Sequence, residues 1–295
     1  MSGVTVPAAF AEATISREGA AGREWVESLP ASAAEFLDRW SCTVSGPTMH
    51  GFVGVVIPVV RADGSEAVLK LGFPLSRNAA EPVALAAWNG NGAVRLLERD
   101  DSRSAMLLER LRPLAEPPSA PFTAVGRLAR RLAIAAPPGV FSLADKALEW
   151  AVDVPAHAAR LGSPLPARVV DAAVANARDL TVDQGVLVHG DLHFGNIMCD
   201  DDGLRAVDPT GLVGDPAFEL LPLLRGDWFA VMGEADLSTA VERRIAEFAE
   251  AAEVDRERVR RWTQARAAES ALWSRTLREP AVITEVVDTL ATLLM

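Results

Sequence analysis

The chain has 295 residues, 49% of them hydrophobic, and a formal net charge of −11. That length supports a large core in one domain or two lobes, and the acidic balance, with no dense Lys/Arg run, excludes a nucleic-acid partner and suits a cationic ligand. Two cysteines far apart, Cys42 and Cys199, exclude a disulfide framework, and the longest apolar run, GFVGVVIPVV at 51–60, is too short for a bilayer.

The N-terminus has no basic stretch followed by an apolar block, so neither export nor membrane embedding is expected, and the default location is a reducing cytoplasm. Residues 20–40 alternate apolar and polar at helical spacing and are interrupted by Pro30, which predicts two short helices. The period then changes. SCTVSG, PTMHG, FVGVVIPVV, RADG and SEAVLKLG over 41–72 read as strands and turns of an antiparallel meander. A helix over 79–89 is stopped by NGNG, and AVRLLERD and SAMLLERL read as two further strands about a turn at 100–104.

From Pro113 onward the segments are long, Ala-rich and helical, interrupted near 113–121 and 137–138 by proline, and helices resume from 216 to the end. The outline is an α+β chain: a β-rich N-terminal lobe over 1–111 with one central helix and a helical extension at 1–40, then a mainly helical lobe over 112–295. Such a division implies a cleft between the lobes.

One stretch inside the helical part differs from its surroundings, residues 185–211, GVLVHGDLHFGNIMCDDDGLRAVDPTG. GVLVH is strand-like, and NIMC and LRAV are apolar runs on either side of DDDG, a strong hairpin turn. A turn centred at 201–202 puts Asn196 across from Asp208 or its neighbour, with Asp191 at the same open end. An amide oxygen beside a carboxylate is a hard-oxygen set suited to Mg²⁺ with phosphate oxygens. A second carboxylate nearby could accept a proton from an attacking hydroxyl. This is the division of labour of phosphoryl transfer. Two other readings stand beside it: a zinc site on His189, Asp191 and His193, which an extended H-x-D-x-H would present on one face, and a polar hairpin without chemistry.

HGDLHFGN followed by VDPTGLVGDPAFEL resembles the aminoglycoside phosphotransferases, which share a bilobal protein-kinase-like fold, and in particular the branch of streptomycin 6-phosphotransferases and hydroxyurea phosphotransferases. The resemblance extends through RADGSEAVLKL, AWNGNGAVRLLERD, AMLLERL and RWTQARAAESALW. It implies that Asp191 is the catalytic base, that Asn196 and Asp208 hold Mg²⁺, and that Lys70 holds the nucleotide's phosphates. The chain uses 27 arginines and only two lysines, Lys70 and Lys146. A lysine at this strand position therefore fits a compact charge aimed at phosphate, against the alternative of a snorkelling edge-strand lysine.

Glu81 is the implied partner of Lys70, placed at the helix start because Pro82 follows it. The backbone C=O of Glu109 and N–H of Leu111 would meet the base of the nucleotide. The loop SGPTMHGFVG would cover the phosphates, although Gly46, Gly51 and Gly54 do not make G-x-G-x-x-G. Six residues separate Asp208 from Asp215 and no A-P-E follows, so there is no room for a protein kinase's activation loop and the acceptor is expected to be a small molecule.

Asp215 and Glu219 are expected to brace the catalytic loop or to touch substrate. Glu269, on the same turn as Trp273, would suit a cationic acceptor if those side chains face it and are not core. His50, His157 and Lys146 carry no argument. The expected activity is transfer from ATP, with GTP as the alternative donor, to an aminoglycoside such as streptomycin. Phosphorylation of hydroxyurea or a small metabolite, or nucleotide binding without transfer, are the alternatives. The sequence is compatible with a monomer.

Overall fold

Strand alternation organises the N-terminal part of the chain. In the runs Gly54–Arg61 and Glu66–Gly72 the odd-numbered Val55, Ile57, Val59, Ala67, Leu69 and Leu71 share one face and are buried with Ala105 and Leu107. Against that face lie Phe10, Leu29, Ala33 and Phe36 of the first helix. A computed structural model describes residues 4–74, 79–181 and 185–295. Within it the chain divides into two compact units, Met1–Arg112 and Pro113–Met295.

The first unit contains α1 (Ala8–Arg39), β1 (Cys42–Val44), β2 (Met49–His50), β3 (Gly54–Arg61), β4 (Glu66–Gly72), α2 (Glu81–Trp88), β5 (Leu96–Asp100) and β6 (Ala105–Glu109), with β7 (Arg112–Pro113) at its end. The strand order is β1-β3-β4-β6-β5, all antiparallel. The expected simple meander is corrected at its start: β1 pairs with Val59–Arg61 and β2 with Val55–Val56, so both lie along the same edge of β3. Pro58 falls between those pairings and its carbonyl accepts from Ser45 on that edge. The missing N–H is thus lost from the edge and not from the β3–β4 ladder.

Two short helices broken at Pro30 were expected, and this too is corrected. The helix runs through Pro30 and is instead interrupted at Gly19, with φ 64° and ψ −133°. Leu29, Ala33 and Phe36 bury their side chains on both sides of the proline, and that packing offsets the roughly 3 kcal/mol a proline costs inside a helix. Helix α2 ends where NGNG predicted, with Asn89 in the left-handed region and Gly90 following at φ 84°.

The second unit contains α3 (Pro121–Leu132), β8 (Phe141–Ser142), α4 (Leu143–Arg160), α5 (Ala167–Asp179), β9 (Val186–Val188), β10 (Ile197–Asp200), β11 (Gly203–Ala206), β12 (Leu212–Gly214), α6 (Leu220–Gly226), α7 (Trp228–Met232), α8 (Leu237–Ala252), α9 (Arg256–Thr276) and α10 (Ala281–Leu293). Its spine is α9, which packs against α4, α5, α6, α8 and α10. Fully buried Gln264 ties this helix to two neighbours by donating to Val169 and Ala291 carbonyls, while Asn176 donates to its Oε1. No described helix is long and apolar enough to cross a membrane.

Candidate active site

The predicted hairpin forms with the expected register. Ile197 pairs with Ala206 and Asp200 with Gly203, and the ladder continues one step further, where Val207 N donates to the Asn196 carbonyl at 2.9 Å. Asn196 therefore lies opposite Val207, with Asp208 next along the chain. Asp208 has φ 57°, a left-handed conformation that aspartate tolerates better than most residues and that turns the chain sharply after β11.

His189 locks the two sides of this arrangement together. It is fully buried, its Nε2 donates to the Val207 carbonyl at 2.9 Å, and its Nδ1 accepts from Asp191 N at 3.2 Å. Both ring nitrogens are thereby committed to backbone, which fixes one neutral tautomer. Burial pushes its pKa down to about 4, against the pull of the Val207 carbonyl and neighbouring carboxylates. The zinc reading fails here, because His189 turns inward to the backbone. Among the described residues no three His, Cys, Asp or Glu side chains converge on a metal position.

Asp191 follows the chain's crossing out of β9. Its backbone carbonyl accepts from Asn196 Nδ2 at 3.0 Å, which orients the amide and leaves Asn196 Oδ1 as the atom available to a ligand. The Asp191 carboxylate is about half exposed, with His193 Nε2 at 3.6 Å from one oxygen and Arg266 Nη2 at 3.8 Å from the other. Burial raises its pKa, but His193 and Arg266 outweigh this and hold it at about 2. At neutral pH it is an ionised hydrogen-bond acceptor.

The peptide preceding Asp191 is gripped from both sides. Gly190 N donates to Glu219 Oε1 at 2.8 Å, and the Gly190 carbonyl accepts from Arg266 Nη2 at 2.8 Å. Only glycine fits: φ is +87°, and a Cβ would lie 3.0 Å from Thr210 Cβ and 3.1 Å from Leu212 Cδ1. Arg266 also donates to the Phe218 carbonyl at 3.2 Å and stacks 4.1 Å above the Phe218 ring. Glu219 is 1% exposed, and its Oε2 has no hydrogen-bond partner among the described residues. Burial pushes its pKa up to about 7 despite the lowering effect of the Gly190 N–H and Arg266.

Asp215 is a brace. One oxygen accepts from Ala217 N at 2.9 Å, capping the short turn at Pro216–Glu219; the other accepts from Arg258 Nε at 2.7 Å and Trp262 Nε1 at 3.0 Å. At 2% exposure with both oxygens occupied, it is closed to a substrate. Trp262 is core, whereas Trp273 is 48% exposed and meets His157 edge-on at 5.5 Å. Glu269, three positions past Arg266, is partly buried, which raises its pKa against the fields of Lys146 and Arg266.

In the first unit, Lys70 and Glu81 come together: Nζ donates to Oε1 at 2.6 Å, with both residues buried. The edge-strand alternative for Lys70 is corrected, since β4 is the central strand of the sheet. Alternation places Lys70 on the face opposite α1, in one row with Val56 and Met106. Glu81 is the first residue of α2, as Pro82 dictates. Glu109 ends β6 with its carboxylate accepting from Arg95 N at 2.7 Å, and Leu111 lies just beyond the strand. The loop expected over the phosphates forms a tight turn between β2 and β3 in which Gly51 N donates to the Gly54 carbonyl at 3.0 Å. At Gly54 a Cβ would lie 2.6 Å from the Leu71 carbonyl oxygen, so that glycine is needed for close strand approach.

Sequence reading missed Arg266 and gave Lys146 no role. Arg266 sits in RWTQARAAESALW, where its neighbours drew attention as aromatic and acidic residues. In a chain with 27 arginines nothing in its type distinguished it.

Solved structures with the same architecture are found among small-molecule kinases. A choline/ethanolamine kinase family protein from Mesorhizobium loti superposes with a TM-score of 0.60 at 18% identity, covering 89% of this chain and 94% of that one. The GDP complex of aminoglycoside 2'-phosphotransferase-IIIa gives 0.55 at 15%, covering 90% and 97%. These likenesses establish the protein-kinase-like fold. In sequence, the chain is 42% identical over 282 residues to a hydroxyurea phosphotransferase of Kitasatospora aureofaciens, covering 92% of this chain and 80% of that one. It is 36% identical over 278 residues to a streptomycin 6-kinase of Streptomyces glaucescens, covering 92% and 91%. Residues 39–277 match the model of the aminoglycoside/hydroxyurea antibiotic resistance kinases, and with a match over that much of its length the chain belongs to this family of phosphotransferases.

Proposed function

We propose that this protein transfers the γ-phosphoryl group of ATP, with GTP as the alternative donor, to a hydroxyl of a small antibiotic-like acceptor, streptomycin first and hydroxyurea second. The observation that carries the reading is the joint fixation of Asp191 and Asn196. The carbonyl of one holds the amide of the other, and His189 ties the same loop to the residue preceding Asp208. The streptomycin reading is supported by the 36% identical relative and the hydroxyurea reading by the 42% identical one.

Asp191 accepts the acceptor hydroxyl as a hydrogen-bond donor and aims its oxygen at phosphorus. With a pKa near 2 it is a weak base, which suits a loose transition state in which the proton leaves late. Positioning and electrostatics then carry the catalysis. Lys70, held by Glu81, would contact the nucleotide's phosphates, and the backbone at Glu109 and Leu111 its base. Asn196 Oδ1 and the Asp208 carboxylate would hold Mg²⁺. Their hard-oxygen chemistry fits a cation that keeps waters and takes further oxygens from phosphate. When bound, Mg²⁺ neutralises phosphate charge.

Asp191→Ala tests the assignment. Phosphoryl transfer, followed as acceptor-dependent ADP release, is expected to fall to background, with nucleotide affinity by calorimetry within about threefold of wild type, a change under 1 kcal/mol. Transfer retained at the wild-type rate would refute the role of Asp191.

A further inference from the structure

The face of α9 that carries Arg258, Trp262 and Arg266 continues one turn on to Glu269. Helix α4 packs beside it, and a short aromatic relay fixes how the two align. Arg266 stacks on Phe218, the Phe218 ring lies 6.1 Å from Trp150 of α4, and Lys146, one turn before Trp150, has its ammonium 5.7 Å from that indole. Lys146 and Glu269 therefore stand at corresponding positions on neighbouring helices, one turn beyond the Arg266 guanidinium that lies beside Asp191.

The state of these two side chains is unusual for opposite charges in a crowded place. Burial and the Arg266 charge push the Lys146 ammonium down, while Glu269, Glu149 and Asp191 pull it back up; burial pushes the Glu269 carboxyl up, with Lys146 and Arg266 opposing. Both remain partly open to solvent. Yet the pair does not close: among the described residues Lys146 has no hydrogen bond or ion pair, and Glu269 interacts only with the Ser270 hydroxyl and the fields of nearby charges. A desolvated ammonium with three donors would normally be satisfied. Two opposite charges close enough to influence each other yet not paired form a receptor for a group that can satisfy both.

We propose that Lys146 and Glu269 form an acceptor-binding subsite beside Asp191, in which the ammonium donates to an oxygen of the acceptor and the carboxylate receives an N–H. The matching chemistry is an N–H donor next to an oxygen, as in a urea, or in a guanidine carried next to a ring hydroxyl. This inference rests on the phosphotransferase reading given above.

The test uses the full-length protein, Mg-ATP, and two acceptors, hydroxyurea for the urea arm and streptomycin for the guanidine arm. Each is run with wild type, Lys146→Met and Glu269→Gln. Removing one charge-assisted hydrogen bond is expected to raise the acceptor KM about tenfold or more, with the ATP KM held within about twofold and the folded state intact by melting temperature. Lys146→Arg, which keeps a donor, should recover part of the loss. An acceptor KM unchanged in both variants, for an acceptor the wild type phosphorylates, overturns the subsite and leaves the phosphotransferase reading in place. A rise in ATP KM equal to the rise in acceptor KM also overturns it, since that marks a general structural effect. If the wild type phosphorylates neither acceptor, both readings fall.

Discussion

Glu219 shows how a single buried side chain ties stability to pH. It holds the Gly190 N–H, is almost fully buried, and its pKa is pushed up from 4.5 to about 7. The folded protein therefore binds a proton here between about pH 4.5 and 7 that the unfolded chain does not. By linkage, the contribution to stability is fully present below pH 4.5 and is lost as pH rises through about 7. His189 works in the opposite sense: its pKa is depressed from 6.5 to about 4, so its contribution is present above pH 6.5 and is lost as pH falls through about 4. Glu219→Gln keeps an acceptor for Gly190 N–H and removes the titration. Thermal melts from pH 5 to pH 8 are expected to show wild type losing stability relative to this variant as pH rises; parallel curves would mean that Glu219 is already ionised when folded.

At the level of elements, α9 is the scaffold of the loop that carries Asp191. Arg258, Trp262 and Arg266 recur every four residues and so share one face. The first two satisfy Asp215, and the third binds the carbonyls of Gly190 and Phe218. The planar guanidinium makes these contacts from one rigid fork. Arg266→Met should lower kcat about 100-fold, the scale of an ångström-sized misplacement of a catalytic group, while nucleotide KM stays near wild type. Steady-state kinetics measure this, and a variant with unchanged kcat would show that the loop holds its shape without α9. The face was visible in the sequence as a helix with two tryptophans, but its target was not. Helical periodicity tells which residues share a side and not which loop, 76 residues away in the case of Gly190, comes to meet them.

The hairpin was legible for the opposite reason. DDDG fixes a local turn, and counting outward from it places Asn196 opposite Val207 without long-range knowledge. Lys70 and Glu81 were singled out by the family resemblance, with the rarity of lysine supporting the first; the proline after Glu81 told only that it would stand at the start of its helix, where it does. What failed was of two kinds. Pro30 was expected to break a helix, but burial of Leu29, Ala33 and Phe36 carries the helix through it; β1 and β2 were expected in sequence order, but both lie on one edge of β3. In each case tertiary packing decided between locally reasonable options. Lys146 was passed over because a lone helical lysine is ordinarily solvated, and only the packing of α4 on α9 gives it neighbours.

For the molecule as a whole, a protein-kinase-like fold, a family match across residues 39–277 and a loop that fixes Asp191 beside Asn196 all lead to one chemical act, phosphorylation of a small acceptor. The most direct measurement incubates the full-length protein with Mg-ATP and, separately, streptomycin, other aminoglycosides, hydroxyurea and small metabolites. ADP release and product mass are then followed together. The expected result is acceptor-dependent ADP release with a product heavier by one phosphoryl group for streptomycin or hydroxyurea, lost in Asp191→Ala. Release of ADP no faster with any acceptor than without one, and no phosphorylated product, would contradict the account.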